Sequence, residues 1–273
     1  MQEIILFFEK IDPILWAFLA TVFTWWVTAL GASTVFFFKT IKKKTMDTLL
    51  WFTGGVMVAA SIWSLIIPGI EMSSGEGFMQ VFPIVFWFSL WVVFLFWLDR
   101  LVPHLHINFP KDEKEWIDTS WKKTTLLALA ITLHNIPEGL AIGVMFWGVA
   151  AGLPEATIAG AVLLALGIGI QNFPEGIAIS MPLRRLWLSR RKSFLYGQWS
   201  ALVEPVAAVI GAIMVTLFTP LLPYALAFAA GAMMFVVVEE VIPESQKNGY
   251  TDLATIGFMI GFLVMMSLDV VLS

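Results

Sequence analysis

The chain has no cysteine, only three histidines and three tyrosines, and charged side chains make up just 13% of its 273 residues. Without cysteine there is no disulfide, no thiolate metal site and no thiol nucleophile. Soluble domains carry about 25% charged residues, so the shortage here excludes a solvated globular exterior. Signature motifs are missing as well. There is no P-loop and no phosphorylated-aspartate motif, which excludes ATP hydrolysis by this chain, and no HExxH for a zinc protease. The opening segment, MQEIILFFEKIDP, has acidic residues where a signal peptide needs basic ones and no small-residue cleavage site after it. It is expected to be retained. No nucleic-acid partner is expected.

What is present is hydrophobic, at 59% of the residues and a mean hydropathy of +0.86. The fold class this predicts is all-α integral membrane, with the lipid bilayer as its surroundings. Apolar runs and breakers divide the chain into eight spans of the ~20 residues that cross a ~30 Å hydrocarbon core. The expected limits are Ile11 to Phe38, Met46 to Ile67, Met79 to Leu98, Thr124 to Gly148, Ala156 to Met181, Phe194 to Phe218, Pro220 to Ile242 and Leu253 to Leu272. Residues 1–273 then form a single polytopic membrane domain, with its main loop at about 99–123. The basic residues test this count, since fifteen of the sixteen Lys and Arg fall in alternate loops and only Lys10 lies opposite. Positive-inside bias places those loops in the cytoplasm and both termini outside. An odd number of spans would scatter the charges.

Two polar hexapeptides interrupt this apolar background, HNIPEG at His134 to Gly139 and QNFPEG at Gln171 to Gly176. Ionisable groups in hydrocarbon are costly and mark function. The extensions HNIPEGLAIGV and QNFPEGIAISM match at Asn, Pro, Glu, Gly, Ala and Ile. Because span four runs outward and span five inward, the copies are antiparallel, the arrangement of inverted-repeat transporters whose sites lie where the repeats meet. His134 is ten residues from the start of its span and Gln171 ten from the end of its own, roughly 15 Å of helix in each case. Both fall near the midplane.

The spacing within each motif is a ligand spacing. His134 and Glu138, like Gln171 and Glu175, are four apart and share one helix face, while Asn135 and Asn172 are three from the same glutamates. Pro137 and Pro174 lack an N–H, which leaves the carbonyls of Leu133 and Ile170 to find other partners. A third carboxylate, Glu204 in SALVEPVAAVIGA, lies ten residues into span six and reaches the same depth. Three such carboxylates repel one another unless cations lie between them. One imidazole, carboxylates and amide oxygens without thiolate suit Zn²⁺ and admit Cd²⁺, Mn²⁺ or Fe²⁺. The nitrogen ligand argues against a dedicated Mg²⁺ or Ca²⁺ site.

These motifs, together with GGVMVAASIWSLIIPGIE in span two and EEVIPES at the end of span seven, resemble those of the ZIP family of divalent-metal transporters, in particular its GufA-like bacterial branch. The resemblance covers essentially the whole chain. It implies a 3+2+3 inverted-repeat bundle in a bacterial inner membrane, a homodimer, and a glutamate-bridged binuclear site. One ion would be held by His134, Glu138, Gln171, Glu175 and Glu204, and the second surrounded by Asn135, Glu138, Asn172, Glu175 and Glu204. The metal is then bound substrate and no catalytic cofactor is needed. This chain departs from many relatives in carrying neutral Gln171 and Asn172 where they have a carboxylate or histidine. The resemblance further implies that spans one, four, five and six move against two, three, seven and eight.

Other polar positions line the expected route. Ser64 and Asp269 lie near the outer ends of spans two and eight, and the resemblance implies them as candidate entrance residues. Asp99, His104, His106, Glu239, Glu240 and Glu244 gather by topology on the inner side as candidate exit residues. Met57 and Met233 are read as packing, though a soft sulfur could touch a passing metal. Gly54, Gly55, Ala59, Ala60 and Ser61 would let a helix pass close to span two. Two other functions stay open at this point. A midplane carboxylate site can be a channel filter, and an intramembrane metalloenzyme would need a general base that HNIPE does not provide.

Overall fold

The computed structural model describes residues 12–101, 123–153, 156–185, 188–217, 219–242 and 251–272. Among them every long element is a helix and there is no strand. In chain order these are α1 (Pro13–Ala32, continued by Thr34–Phe37), α2 (Lys43–Ala60, Ser61–Ile66 and Ile67–Glu71), α3 (Phe78–Leu101) and α4 (Lys123–Ala150). They are followed by α5 (Ile158–Arg185), α6 (Arg190–Trp199, Ser200–Leu202 and Val203–Leu217), α7 (Leu222–Val236 and Val237–Val241) and α8 (Thr251–Leu272). Seven of the eight, all but α4, are described over a stretch long and apolar enough to cross a membrane. α4 has 28 residues, about 42 Å at 1.5 Å per residue. The eight expected spans are therefore all present, each within a few residues of its expected limits. The loop expected at about 99–123 lies mostly outside the described residues.

Local chemistry sets several helix boundaries. Asp12 caps α1, its Oδ1 accepting from the backbone N–H of Ile14 at 2.8 Å, with Pro13 pre-set at the first helical position. Ser189 caps α6 by accepting from Lys192 N. The prolines within spans act in two ways. α4 and α5 stay helical through Pro137 and Pro174. In α6, by contrast, Ser200–Leu202 tightens to 3₁₀ just before Glu204 and Pro205, so Glu204 sits at a joint between two helical segments.

Two segments widen to π-helix, Ser61–Ile66 in α2 and Val237–Val241 in α7. In each, the N–H of the residue that follows bonds five residues back, Ile67 to Ile62 O and Ile242 to Val237 O. Each also lies one turn ahead of a proline in the sequence, with Ser64 four before Pro68 and Glu239 four before Pro243. A proline leaves the carbonyl four residues earlier without its N–H, and a wider turn is one way to accommodate that loss.

The helices pair through glycines. Added side chains would meet backbone at Gly176 (Thr28 and Ala32 of α1), Gly31 (Phe173 of α5), Gly139 and Gly143 (Glu204 and Ala208 of α6), Gly55 (Phe258 and Phe262 of α8), Gly261 (Phe52 of α2) and Gly231 (Phe88 of α3). Close approach of this kind is how membrane helices gain packing where water provides no driving force. The pairs α1–α5 and α4–α6 join, with α1 also touching α4 and α6, into one group; α2–α8 and α3–α7 make the other. The groups meet where α2 lies on α5 and α7 on α4. Gly55 thus seats α8 within its own group, and Met57 and Met233 lie in the shared apolar core with Leu65, Ile142 and Ile168. α5 is the centre of the bundle and is mostly buried, whereas α3 is largely exposed and turns Phe82, Phe86, Phe94 and Trp97 outward.

Candidate metal centre

The polar residues of the two hexapeptides face one another inside the first helix group. Asn135, Glu138, Gln171, Asn172 and Glu204 are fully buried, and Glu175 alone keeps accessible surface, at 6% exposure. Glu138, on α4, accepts from Gln171 Nε2 of α5 at 2.5 Å through its Oε1. Glu204, on α6, accepts from Asn172 Nδ2 of α5 at 2.8 Å through Oε1 and from the Thr24 hydroxyl of α1 through Oε2. The three carboxylates lie within electrostatic reach of one another. At His134 the backbone is described, within α4, and the side chain lies outside the described set.

The atoms without partners define the chemistry of this space. Among the described residues, Asn135 Oδ1, Glu138 Oε2, Gln171 Oε1, Asn172 Oδ1 and Glu175 Oε2 are all buried with no hydrogen-bond donor, and the amide nitrogen of Asn135 is buried with no acceptor. A buried polar group left unsatisfied costs about 1–3 kcal/mol, and more when charged. Five oxygens in one cluster are acceptors in want of a positive charge, which an oxygen-ligated cation meets. Among the described residues no three His, Asp or Glu groups close on one point to hold a metal ion by themselves. Asn135, Gln171 and Asn172 offer amide oxygens that can add to a coordination shell.

The remaining expected positions fall in three places. Ser64 and Asp269 meet each other, the Ser64 hydroxyl lying 3.0 Å from both carboxylate oxygens, so the two entrance candidates form one buried pair between α2 and α8. Ser64 stands on the α2 π segment, and Glu239 and Glu240 stand on that of α7. Asp99 closes α3, with backbone alone described there and at Glu240; His104, His106 and Glu244 lie outside the described residues. Several buried polar residues were not singled out from the sequence, and two of them are notable. Thr24 is one, a fully buried hydroxyl on Glu204, and Asp47, at 3% exposure near the start of α2, is the other. Threonine is common in apolar helices, and an aspartate next to KKKTM reads as interfacial; position alone distinguishes neither.

Comparison with known proteins gives the same family. A sequence model of the ZIP zinc transporter family matches residues 111–269. The chain is 40% identical to zinc transporter ZIP11 of Homo sapiens, over 93% of this chain and 96% of that protein. It is 38% identical to zinc transporter ZIPB of Bordetella bronchiseptica, over 90% of this chain and 78% of that protein. It is 36% identical to zinc transporter GufA of Myxococcus xanthus, over 90% and 94% respectively. With eight long helices, a buried carboxylate and amide cluster and these relatives, the chain belongs to the ZIP family: it is a multi-pass membrane transporter and not an enzyme.

Proposed function

We propose that this chain carries Zn²⁺, and with lower discrimination Cd²⁺, Fe²⁺ or Mn²⁺, toward the cytoplasm through a site of His134, Asn135, Glu138, Gln171, Asn172, Glu175 and Glu204. The observation that carries the reading is the set of five buried oxygens without donors, drawn from both copies of the repeated motif. The relatives named as zinc transporters support zinc as the substrate. Two ions sharing Glu138, Glu175 and Glu204 complete the site, and the neutral Gln171 and Asn172 make the second the weaker. Inward transport rests on the family resemblance, and the cytoplasmic placement of the loop at 99–123 on the charge bias of the loops.

Movement is of the elevator type, with α1, α4, α5 and α6 sliding as a unit past α2, α3, α7 and α8. The division of the helices into two glycine-paired groups supports it. Ser64 with Asp269 guards the outer approach, and Asp99, His104, His106, Glu239 and Glu240 receive the ion on the inner side. The protein works as a homodimer in a bacterial inner membrane.

Radioactive zinc uptake into proteoliposomes, with wild type beside Glu175→Ala and with Cd²⁺, Fe²⁺ and Mn²⁺ as competitors, tests this. Saturable uptake that disappears in Glu175→Ala supports the carrier and its site. Non-saturating flux at channel-like rates overturns the carrier, and undiminished uptake by the variant overturns the site.

A further inference from the structure

We propose that Thr24 is a positioning residue of the metal centre, holding Glu204 and Asn172 in the orientation in which they meet the ion; this deepens the site assignment above and rests on it. The residues expected from the sequence come from α4, α5 and α6 only. α1 nevertheless enters the cluster, at a single residue with two polar atoms in use. The Thr24 hydroxyl donates to Glu204 Oε2, and the Thr24 carbonyl accepts from Asn172 Nδ2 at 3.3 Å.

The hydroxyl has one proton and two acceptors within reach, Glu204 Oε2 and the Thr21 carbonyl at 3.0 Å. A carboxylate is the stronger acceptor, so the proton goes to Glu204. Asn172 is fixed by the same residue. Its amide nitrogen lies between two acceptors, Glu204 Oε1 at 2.8 Å and Thr24 O, an arrangement that only the NH₂ end of the amide satisfies. Oδ1 is thereby turned away from Thr24, and it is one of the five oxygens without a donor.

Glu204 therefore accepts one hydrogen bond at each oxygen and keeps a second lone pair at each. It is oriented without being consumed. Partners that orient a metal-binding carboxylate in this way typically contribute 10–100-fold to affinity. Neighbouring Thr21 and Thr28 are equally buried, but their hydroxyls bond to carbonyls of α1 itself, Ala17 and Phe18 for Thr21 and Thr24 for Thr28. Thr28 therefore shares the Thr24 carbonyl with Asn172, whereas the Thr21 hydroxyl touches neither Thr24 nor the cluster and serves as the control.

The test is the zinc dependence of uptake into proteoliposomes by full-length Thr24→Val, Thr24→Ser, Thr21→Val and Glu204→Gln. Valine keeps the shape and removes the hydroxyl. The expected result is a KM raised about 10–100-fold in Thr24→Val with maximal rate near wild type, restoration by Thr24→Ser, and little change in Thr21→Val. A merely structural role would lower the amount of active protein and leave KM unchanged. Wild-type KM in Thr24→Val beside a defective Glu204→Gln overturns the positioning role and leaves the site standing; wild-type uptake by Glu204→Gln overturns the site itself. If Thr24→Val does not survive purification, the zinc-induced rise in melting temperature is read in Thr24→Ala and Thr24→Ser. The alanine chain is expected to lose most of that rise and the serine chain to keep it, and equal behaviour of the two overturns the proposal.

Discussion

HNIPEG and QNFPEG are one motif used twice, and the two copies agree in architecture but differ in chemistry. In both, the helix continues through the proline, the glutamate turns inward, and the glycine lies against the backbone of a neighbouring helix, Gly139 on α6 and Gly176 on α1. The polar residues are used differently. Gln171 and Asn172 of the second copy point amide nitrogens at Glu138 and Glu204, whereas Asn135 of the first copy has neither amide atom engaged. Repetition thus specifies where helices touch, while the side chains beside each glutamate specify what the cavity holds. α5 provides the donors that steady the carboxylates, and α4 provides an open amide.

The largest expected effect breaks the shared half of the comparison. Gly176→Leu would force a side chain into Thr28 and Ala32, where Cβ already falls 2.8 Å from Ala32 N. Overpacking of this kind costs ~1–3 kcal/mol or more, so a lower melting temperature and loss of uptake are expected; Gly139→Leu should do the same at α6. A melting temperature unchanged in both would contradict the close packing. Next in size, Glu138→Ala and Glu175→Ala should each abolish uptake while the protein still elutes as a folded species on gel filtration, and full activity in either removes the core of the site.

The differing half is sharpened by Asn135→Ala beside Asn172→Ala. The first removes one oxygen and leaves both hydrogen bonds on Glu204; the second also removes one of those two, leaving Thr24 alone to hold Glu204. A larger rise in KM is expected for Asn172→Ala, and equal effects would mean that the donor role of α5 is idle. Acidification should lower uptake in the wild type, because metal ligands must be deprotonated and protons compete for the same carboxylates. A flat profile between pH 8 and pH 5, measured at fixed sub-saturating zinc, would argue against carboxylate ligation. The smallest effect is expected from Ser64→Ala, which removes one hydrogen bond to Asp269, typically about 0.5–1.5 kcal/mol. Uptake at saturating zinc should stay near wild type; a complete loss would move this pair from the approach to the main site.

Much of this was legible in the sequence, for physical reasons. The spans were, because a membrane admits only long apolar helices, and basic residues in alternate loops set their number. Glu138, Glu175 and Glu204 were, because carboxylates are conspicuous in hydrocarbon. Thr24 was hidden, since a hydroxyl can satisfy itself on its own helix and only the fold reveals a partner 180 residues away. The π segments were half legible. Pro68 and Pro243 announce an irregularity one turn earlier, but the choice of a wider turn over a kink depends on neighbouring helices. That Ser64 and Asp269 form one pair, 205 residues apart in the chain, needed the packing of α2 on α8.

All three glutamates ride on helices of a single group, and this bears on the electrical behaviour of the carrier proposed above. With the carboxylates ionised, the three-glutamate site carries three negative charges when empty, one when it holds a single divalent ion, and one positive charge when it holds two. A charge crossing the full membrane potential exchanges about 2.3 kcal/mol per 100 mV. In an inside-negative cell the outward return of an empty site with all three carboxylates ionised would be driven by at most about 7 kcal/mol per 100 mV, and by less for every proton the site takes up; inward movement of the ionised site is opposed with one ion and assisted with two. The voltage dependence of single-turnover uptake in vesicles clamped by a potassium gradient would then count the ions carried, with no need to see them bound.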